Sequence, residues 1–203
     1  MNIWMLCLLL SLGWSVVAQA AGDAGVGQTK VAVCGACHGP DGNSLVPIFP
    51  KLAGQGERYL LEQLLDIQAG RRQVPEMTGQ LNGLAEQDLA DIAAFYAAQA
   101  PKPTAGASAP DLVAQGRALY HGGRAETGLP ACSACHGPMG AGLAAAGFPR
   151  LSGQQAAYTS KQLGLFHSAG RATDGEAAIM STIAGKLDDA DIAALAAYLQ
   201  GLP

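Results

Sequence analysis

The chain has 203 residues and a formal net charge of −4, and 49% of its residues are hydrophobic whereas only 14% are charged, which excludes a disordered chain. A nucleic-acid binder is disfavoured, because no cluster of basic residues exceeds the pair Arg71-Arg72. Aromatic residues make up only 5% of the chain, so its core is short of large side chains and a bound cofactor is one candidate to fill it.

The N-terminus has the pattern of an export signal. An apolar run over residues 3–12 is followed by Ala18-Gln19-Ala20, a small-x-small cleavage pattern. We predict that residues 1–20 are a signal peptide cleaved after Ala20 and that the mature chain begins at Ala21. The run has no preceding Lys or Arg, and an uncleaved anchor is the alternative, although the run is short for a membrane span.

The remainder of the chain is a tandem duplication. Residues 34–40 (CGACHGP) recur as residues 132–138 (CSACHGP), and residues 49–55 (FPKLAGQ) recur as residues 148–154 (FPRLSGQ). Further matches follow in the same order: Tyr59 with Tyr158, Gln63-Leu64 with Gln162-Leu163, Gly70-Arg71 with Gly170-Arg171, and Met77 with Met180. This repeat predicts one kind of domain present twice, at residues 21–100 and 111–203. Residues 101–110, rich in Pro and small side chains, are predicted to be a linker.

The apolar pattern predicts an all-α fold. Leu89, Ile92, Ala93 and Tyr96 fall on one face of a helix, and the second copy repeats this spacing near residues 192–199. Asp188 is expected to cap that second helix, whereas Ala85 at the corresponding place has no capping side chain. Middle helices are predicted over residues 59–69 and 156–169, and first helices near residues 25–33 and 110–120.

The chemistry of the chain is concentrated in two motifs that contain all four cysteines left after signal removal. The motifs are Cys34, Cys37 and His38 in the first copy, and Cys132, Cys135 and His136 in the second. The Cys-x-x-Cys-His pattern is typical of covalent c-type haem attachment. Thiols on one helical turn reach the two vinyl groups of a porphyrin, and the histidine that follows is the proximal iron ligand.

Zinc binding, a redox disulfide and structural disulfides are the other interpretations of these motifs. Zinc ribbons space their cysteine pairs by about 15–20 residues, whereas these stand 98 residues apart. A thioredoxin-type motif needs a βαβ setting, and structural disulfides, which exported chains can form, leave the repeated histidine unexplained. The sequence therefore predicts two covalent haems.

The distal iron ligands are predicted to be Met77 and Met180. Both occupy the same place in the repeat, before the last helix. A methionine is ordinarily a filler of core gaps, but two at equivalent positions favour ligation. Met139 follows His136 too closely to cross to the opposite haem face. Two His/Met irons have no open position for a substrate, and this ligation suits electron transfer.

Two further pairs of residues carry expectations. Pro50 and Pro149 follow the two motifs, and their carbonyls are candidates to accept a hydrogen bond from the proximal histidine Nδ1–H; the alternative is that both are simply loop prolines. His121 and His167 have no partner in the repeat and are expected at the surface or at helix ends.

The two CxxCHGP motifs, the two FPxLxGQ blocks, Met77, Met180 and the closing helices together resemble the dihaem cytochromes c4, over essentially the whole mature chain. The resemblance implies two tandem class I cytochrome c domains, each wrapped around one covalent haem and related by a pseudo-twofold axis, with haem propionates meeting near the interface.

The resemblance also implies a function. The cytochromes c4 are periplasmic, often loosely membrane-associated electron carriers that feed terminal oxidases, so the expected partners are redox proteins: a membrane quinol-oxidising complex and a terminal oxidase. The alternative is the electron-accepting dihaem subunit of a flavocytochrome-type sulfide dehydrogenase. A dihaem peroxidase is a weaker alternative, because it needs a haem that can lose its distal ligand.

Overall fold

The computed structural model describes residues 21–104, 106, 108–171 and 175–202, and the predicted signal peptide lies outside them. Within these ranges the secondary structure is helical, with only two isolated β-bridges and no strand. The α-helices are α1 (Ala24–Gln28), α2 (Ala32–His38), α3 (Glu57–Gln68), α4 (Glu86–Ala97), α5 (Pro110–Gly122), α6 (Ser133–His136), α7 (Ala156–His167), α8 (Gly175–Ala184) and α9 (Asp189–Gly201). Short 3₁₀ turns lie at Pro75–Met77, Ala125–Thr127 and Ala144–Ala146. The all-α prediction is therefore confirmed.

Each copy is built on a close crossing between its first helix and its closing helix. In the first copy α1 packs on α4, and in the second α5 packs on α9. A Cβ at Gly27 would lie 2.0 Å from the Asp91 carbonyl oxygen, and one at Gly116 would lie 2.0 Å from the Ala194 carbonyl oxygen. Only glycine allows these two backbones to approach so closely.

The closing helices agree with the sequence in their buried faces and in their caps. The predicted apolar face of α4 is buried, and because residues 89–96 are all buried the helix is enclosed on its other sides as well. The Asp188 carboxylate accepts from the Asp191 N–H at 2.8 Å at the start of α9, as predicted. At the start of α4 the side chain of Asp88 accepts from the Ala85 N–H at 2.7 Å, so an N3 carboxylate satisfies a backbone donor where the Ala85 side chain has no oxygen.

The first helix of the first copy differs from the prediction. Residues 25–33 are not one helix, because α1 ends at Gln28 and α2 begins at Ala32. The Lys30 ammonium lies between them and pairs with the Asp88 and Asp91 carboxylates of α4, each at 2.6 Å. A contact between distant parts of the chain thus accompanies a break that local periodicity does not reveal.

The two copies contact each other through reciprocal amide hydrogen bonds. The Lys51 N–H donates to Gln154 Oε1 at 2.9 Å, and Gln154 Nε2 donates to the Lys51 carbonyl at 3.0 Å. In the mirrored arrangement, the Arg150 N–H donates to Gln55 Oε1 at 2.7 Å and Gln55 Nε2 donates to the Arg150 carbonyl at 3.0 Å. The last residue of each FPxLxGQ block therefore binds the third residue of the other, as a pseudo-twofold arrangement requires.

The segment between the copies is held against both of them. The Lys102 N–H donates to Asn43 Oδ1 at 2.8 Å, and Lys51 Nζ donates to the Lys102 carbonyl at 2.6 Å. The Thr104 hydroxyl donates to the Gly153 carbonyl of the second copy. These bonds fix the start of the connecting segment, which leads into α5 at Pro110.

Candidate haem sites

Each cysteine motif lies on a short helix beside the core of its own copy. Cys34 and Cys37 lie on α2 and Cys135 lies on α6, while Cys132 occupies the N-cap position of α6. None of the four cysteines forms a disulfide. Burial raises the pKa of the Cys34 thiol, and burial raises that of Cys132 to about 11.

The histidines of the two motifs are held in the same way. His38 and His136 are 8% and 6% exposed. Their Nδ1 atoms lie 2.9 Å from the carbonyl oxygens of Pro50 and Pro149, respectively. A carbonyl can only accept, so Nδ1 carries the proton and Nε2 keeps its lone pair for a metal. Burial lowers the pKa of both imidazoles, and the predicted role of the two proline carbonyls is confirmed.

The three methionines of the described chain differ in position and in burial. Met77 ends the 3₁₀ turn before α4 and is partly buried. Met180 lies within α8 and packs against the same apolar cluster as Cys132. Met139 is 51% exposed. The two predicted ligands therefore stand on different local structures, one in a turn and one in a helix.

The side chains around each motif fit a c-type haem. In the first copy, the partly buried Cys34 packs against the core cluster together with Leu61 and Leu64 of α3 and with Leu52, which precedes that helix. In the second copy, Leu151 and Leu163 accompany Cys132 in the equivalent place. Apolar walls, two thiols, a neutral imidazole and a thioether are the groups that such a haem requires. Within the described residues, no group of three or more His, Cys, Asp and Glu side chains is arranged to hold a metal ion.

The histidines without a repeat partner lie where they were expected. His121 is exposed near the end of α5, with Nε2 2.9 Å from the Tyr198 hydroxyl. His167 is exposed at the end of α7, with Nδ1 3.0 Å from the Ala184 carbonyl oxygen. Both stabilise packing onto a neighbouring helix within the second copy.

One match within the repeat needs correction. The sequence pairs Gly70-Arg71 with Gly170-Arg171, but the residue with a left-handed backbone after α3 is Gly70 (φ 73°), whereas after α7 it is Ala169 (φ 55°). The structural equivalents are therefore Gly70 with Ala169 and Arg72 with Arg171. Both of these arginines are buried and bond to the opposite copy. Matching the glycines of the two copies placed this segment out of register by one residue. Glycine is common at the left-handed position but is not required there, and the second copy has Ala169 instead.

Comparison with known proteins gives consistent matches. A family model described as Cytochrome c matches residues 24–98 and 113–203. Cytochrome c4 of Pseudomonas aeruginosa is 57% identical and that of Azotobacter vinelandii 54% identical, in alignments that cover the whole of both chains. The crystal structure of reduced recombinant cytochrome c4 from Pseudomonas stutzeri matches with a TM-score of 0.86 at 54% identity, over 90% of this chain and 100% of that chain.

None of the helices in the described part of the chain is both long and apolar enough to cross a bilayer.

Proposed function

Because the chain belongs to the cytochrome c family, and within it to the dihaem cytochromes c4 with two covalently bound c-type haems, we propose that it is a periplasmic carrier of single electrons. Its proposed donor is a membrane quinol-oxidising complex and its proposed acceptor is a terminal oxidase. The full-length relatives named above are all cytochromes c4, which favours a free carrier over the subunit of a sulfide dehydrogenase.

The proposal assigns each residue of the two motifs a role. The thioether bonds are made by Cys34 and Cys37 to the first haem, and by Cys132 and Cys135 to the second. His38 and His136 are the proximal ligands, and Met77 and Met180 are the distal ligands. The domains are residues 21–100 and 111–203, with residues 101–110 between them, and residues 1–20 are the signal peptide.

The observation that carries the proposal is the pair of identically held histidines. Each imidazole is fixed by a 2.9 Å hydrogen bond to a proline carbonyl and is buried against its own domain core. When bound, the haem supplies the one-electron couple of its iron. An imidazole fixed in this way would keep its position in both oxidation states, so little protein rearrangement would accompany a transfer.

The same arrangement favours electron transfer over catalysis on a bound substrate. His38 with Met77, and His136 with Met180, would hold the two irons and would leave neither of them an open position for a substrate. We therefore infer that the chain is not an enzyme and that electrons enter and leave through the haem edges. A peroxidase or a sulfide-oxidising protein would need a position where its substrate can bind.

The charge of the chain points to the kind of surface that a partner presents. Residues 21–103 carry 6 basic and 9 acidic side chains, and residues 104–203 carry 6 and 7. Both halves are therefore net acidic, the first more strongly. A partner with a basic docking surface would be steered toward the chain, and salt would slow the encounter.

Stopped-flow oxidation of the reduced holoprotein by a membrane oxidase preparation tests this function. Fast oxidation in two one-electron phases, slowed by added salt, is the expected result. Peroxide reduction and sulfide oxidation are measured in parallel with the purified chain alone. Rapid turnover of either small molecule without a protein partner would refute the carrier function.

A further inference from the structure

A buried tyrosine of the first copy has a hydroxyl that no protein group satisfies. Tyr96 lies on α4 and is 1% exposed. Among the described residues, its hydroxyl is buried and has no hydrogen-bond partner. A buried hydroxyl without a partner costs free energy, and in a native structure such a group points to a partner that the chain itself does not supply.

The neighbours of Tyr96 hold its ring in place. A Cβ at Gly42, four residues after His38, would lie 2.7 Å from the ring atom Cδ1 of Tyr96, so the ring packs directly on that glycine. The ring of Phe95 meets it edge-on, with the centroids 5.1 Å apart. The Tyr96 carbonyl accepts from the Gly54 N–H at 3.0 Å. The hydroxyl therefore cannot turn toward solvent without disrupting the core.

The sulfur of Cys34 is the neighbour that the hydroxyl can bind. Cys34 packs against the apolar cluster to which Tyr96 belongs. Burial raises the pKa of the Tyr96 hydroxyl, and the Cys34 thiol acts in the same direction. Burial also raises the pKa of the Cys34 thiol, whereas the Tyr96 hydroxyl acts to lower it, as a donor near a sulfur does. The two groups are therefore close, although the free thiol leaves the hydroxyl without a hydrogen bond.

The second copy has no hydroxyl at the position of Tyr96. The Leu199 carbonyl accepts from the Gly153 N–H at 2.9 Å. The Tyr96 carbonyl makes the same bond with the Gly54 N–H, so Leu199 is the structural equivalent of Tyr96. A feature that depends on the Tyr96 hydroxyl therefore belongs to the first site and distinguishes it from the second.

The buried tyrosine beside the second motif comes from another helix and is already satisfied. Tyr120 of α5 is fully buried, and its hydroxyl donates to the Gly137 carbonyl at 2.6 Å. Gly137 directly follows His136. In the second copy a backbone carbonyl thus takes up the tyrosine hydroxyl, whereas in the first copy that of Tyr96 remains available to a further acceptor.

We propose that Tyr96 donates a hydrogen bond to the Cys34 sulfur once that sulfur is the thioether of the first haem, and that it raises the potential of this haem alone. This inference rests on the proposed attachment of haem to Cys34. When a thiol adds to a vinyl group, the sulfur–hydrogen bond breaks, a carbon–sulfur bond forms and the hydrogen passes to carbon. The sulfur can then only accept a hydrogen bond, and a tyrosine hydroxyl can donate one.

The donated hydrogen bond favours the reduced haem. The positive end of the hydroxyl dipole faces the sulfur at the porphyrin edge, and oxidation adds positive charge at the iron, so loss of the hydroxyl lowers the potential. A dipole acts less strongly than a full charge. We expect a shift of about twofold in the redox equilibrium, or about 18 mV at about 59 mV per tenfold change for one electron.

Spectroelectrochemical titration of the holoprotein tests this, with Tyr96→Phe and the control Tyr198→Phe. Phenylalanine keeps the ring and removes only the hydroxyl. Tyr198 is also a buried tyrosine on a closing helix, but its hydroxyl binds the exposed His121. We expect Tyr96→Phe to shift one haem about twofold toward the oxidised state, and this haem is the one that Met77→Ala displaces. Tyr198→Phe is expected to leave that haem unchanged.

Two further readouts separate a donated bond from a packing role. The carbon–sulfur stretching modes in resonance Raman spectra should shift in Tyr96→Phe and stay unchanged in Tyr198→Phe. In denaturant unfolding of the holoprotein, loss of a hydrogen bond should lower the folding equilibrium constant of Tyr96→Phe about threefold. A hydroxyl that stays unpartnered in the holoprotein would have the opposite effect, because its removal would stabilise the fold.

Unchanged potentials in Tyr96→Phe, a shift confined to the haem that Met180→Ala displaces, or a more stable holoprotein would each overturn the proposal. If Tyr96→Phe incorporates less haem, Tyr96→Leu is measured in its place, since leucine is the residue of the second copy. Its potential and its carbon–sulfur modes should shift in the same way, and unchanged values would overturn the proposal as well.

Acid–acetone extraction of the wild type is carried out alongside. Release of the haem would contradict the proposed covalent attachment. Retention of the haem together with an unchanged potential in Tyr96→Phe would contradict only the role of Tyr96, so the two failures are distinguishable.

Discussion

Gly116→Ala is expected to destabilise the second domain, because α5 and α9 touch there through their backbones. The added Cβ would lie 2.0 Å from the Ala194 carbonyl oxygen, against about 3.4 Å for an ordinary contact, so the helices must separate by about 1.4 Å. Overpacking of this kind costs about 3 kcal/mol. Replacing a helical glycine by alanine returns about 1 kcal/mol, which leaves a net loss of about 2 kcal/mol.

The assay is thermal unfolding of the holoprotein followed by circular dichroism. For a chain of this length, a loss of about 2 kcal/mol lowers Tm by about 4–8 °C. Gly122→Ala is the matched control, since Gly122 lies on the same helix and its added Cβ would meet nothing within 4 Å. Equal stability of Gly116→Ala and the wild type, or an equal loss in Gly122→Ala, would refute this reasoning.

Two further predictions concern the interface and the acid limit of stability. Gln154→Ala removes both cross-domain hydrogen bonds of that amide and should cost about 2 kcal/mol in denaturant unfolding, whereas the exposed Gln28→Ala should cost little. Hydrogen bonds from the Asp23 amide and two side chains lower the pKa of Asp91 to about 2. Because the unfolded pKa is about 3.9, this carboxylate stabilises the fold above about pH 4, and its contribution is lost as the pH falls toward about 2. The free energy of unfolding should therefore fall less steeply with decreasing pH in Asp91→Asn than in the wild type or in Asp111→Asn. The same pH dependence in all three proteins would contradict the prediction.

Local chemistry explains what the sequence could predict. The Cys-x-x-Cys-His motif needs only one helical turn, so its function is readable without knowledge of the tertiary structure. The helices α4 and α9 are readable from the spacing of their apolar residues, and the Asp188 cap depends on residues three apart. These features depend on neighbours along the chain, and the structure agrees with the two helices and the cap.

Contacts between distant segments explain what could not be predicted. The break between α1 and α2 coincides with ion pairs from Lys30 to a helix some sixty residues away. Local periodicity carries no signal for such a contact. The burial of Arg72 rather than Arg71 depends on where the left-handed residue falls after α3, and the second domain uses Ala169 for that position. The repeated Gln55 and Gln154 were visible as identities, but their cross-domain partners were not.

The coordination of the two irons is the central claim, and near-infrared spectra of the oxidised holoprotein test it most directly. Met77→Ala and Met180→Ala should each remove about half of the methionine charge-transfer band, lower one potential and open one iron to added ligands. Met139→Leu should leave the band intact, because that side chain is half exposed and follows the proximal histidine too closely to reach the distal face. Loss of the band in Met139→Leu together with its persistence in Met180→Ala would contradict the account.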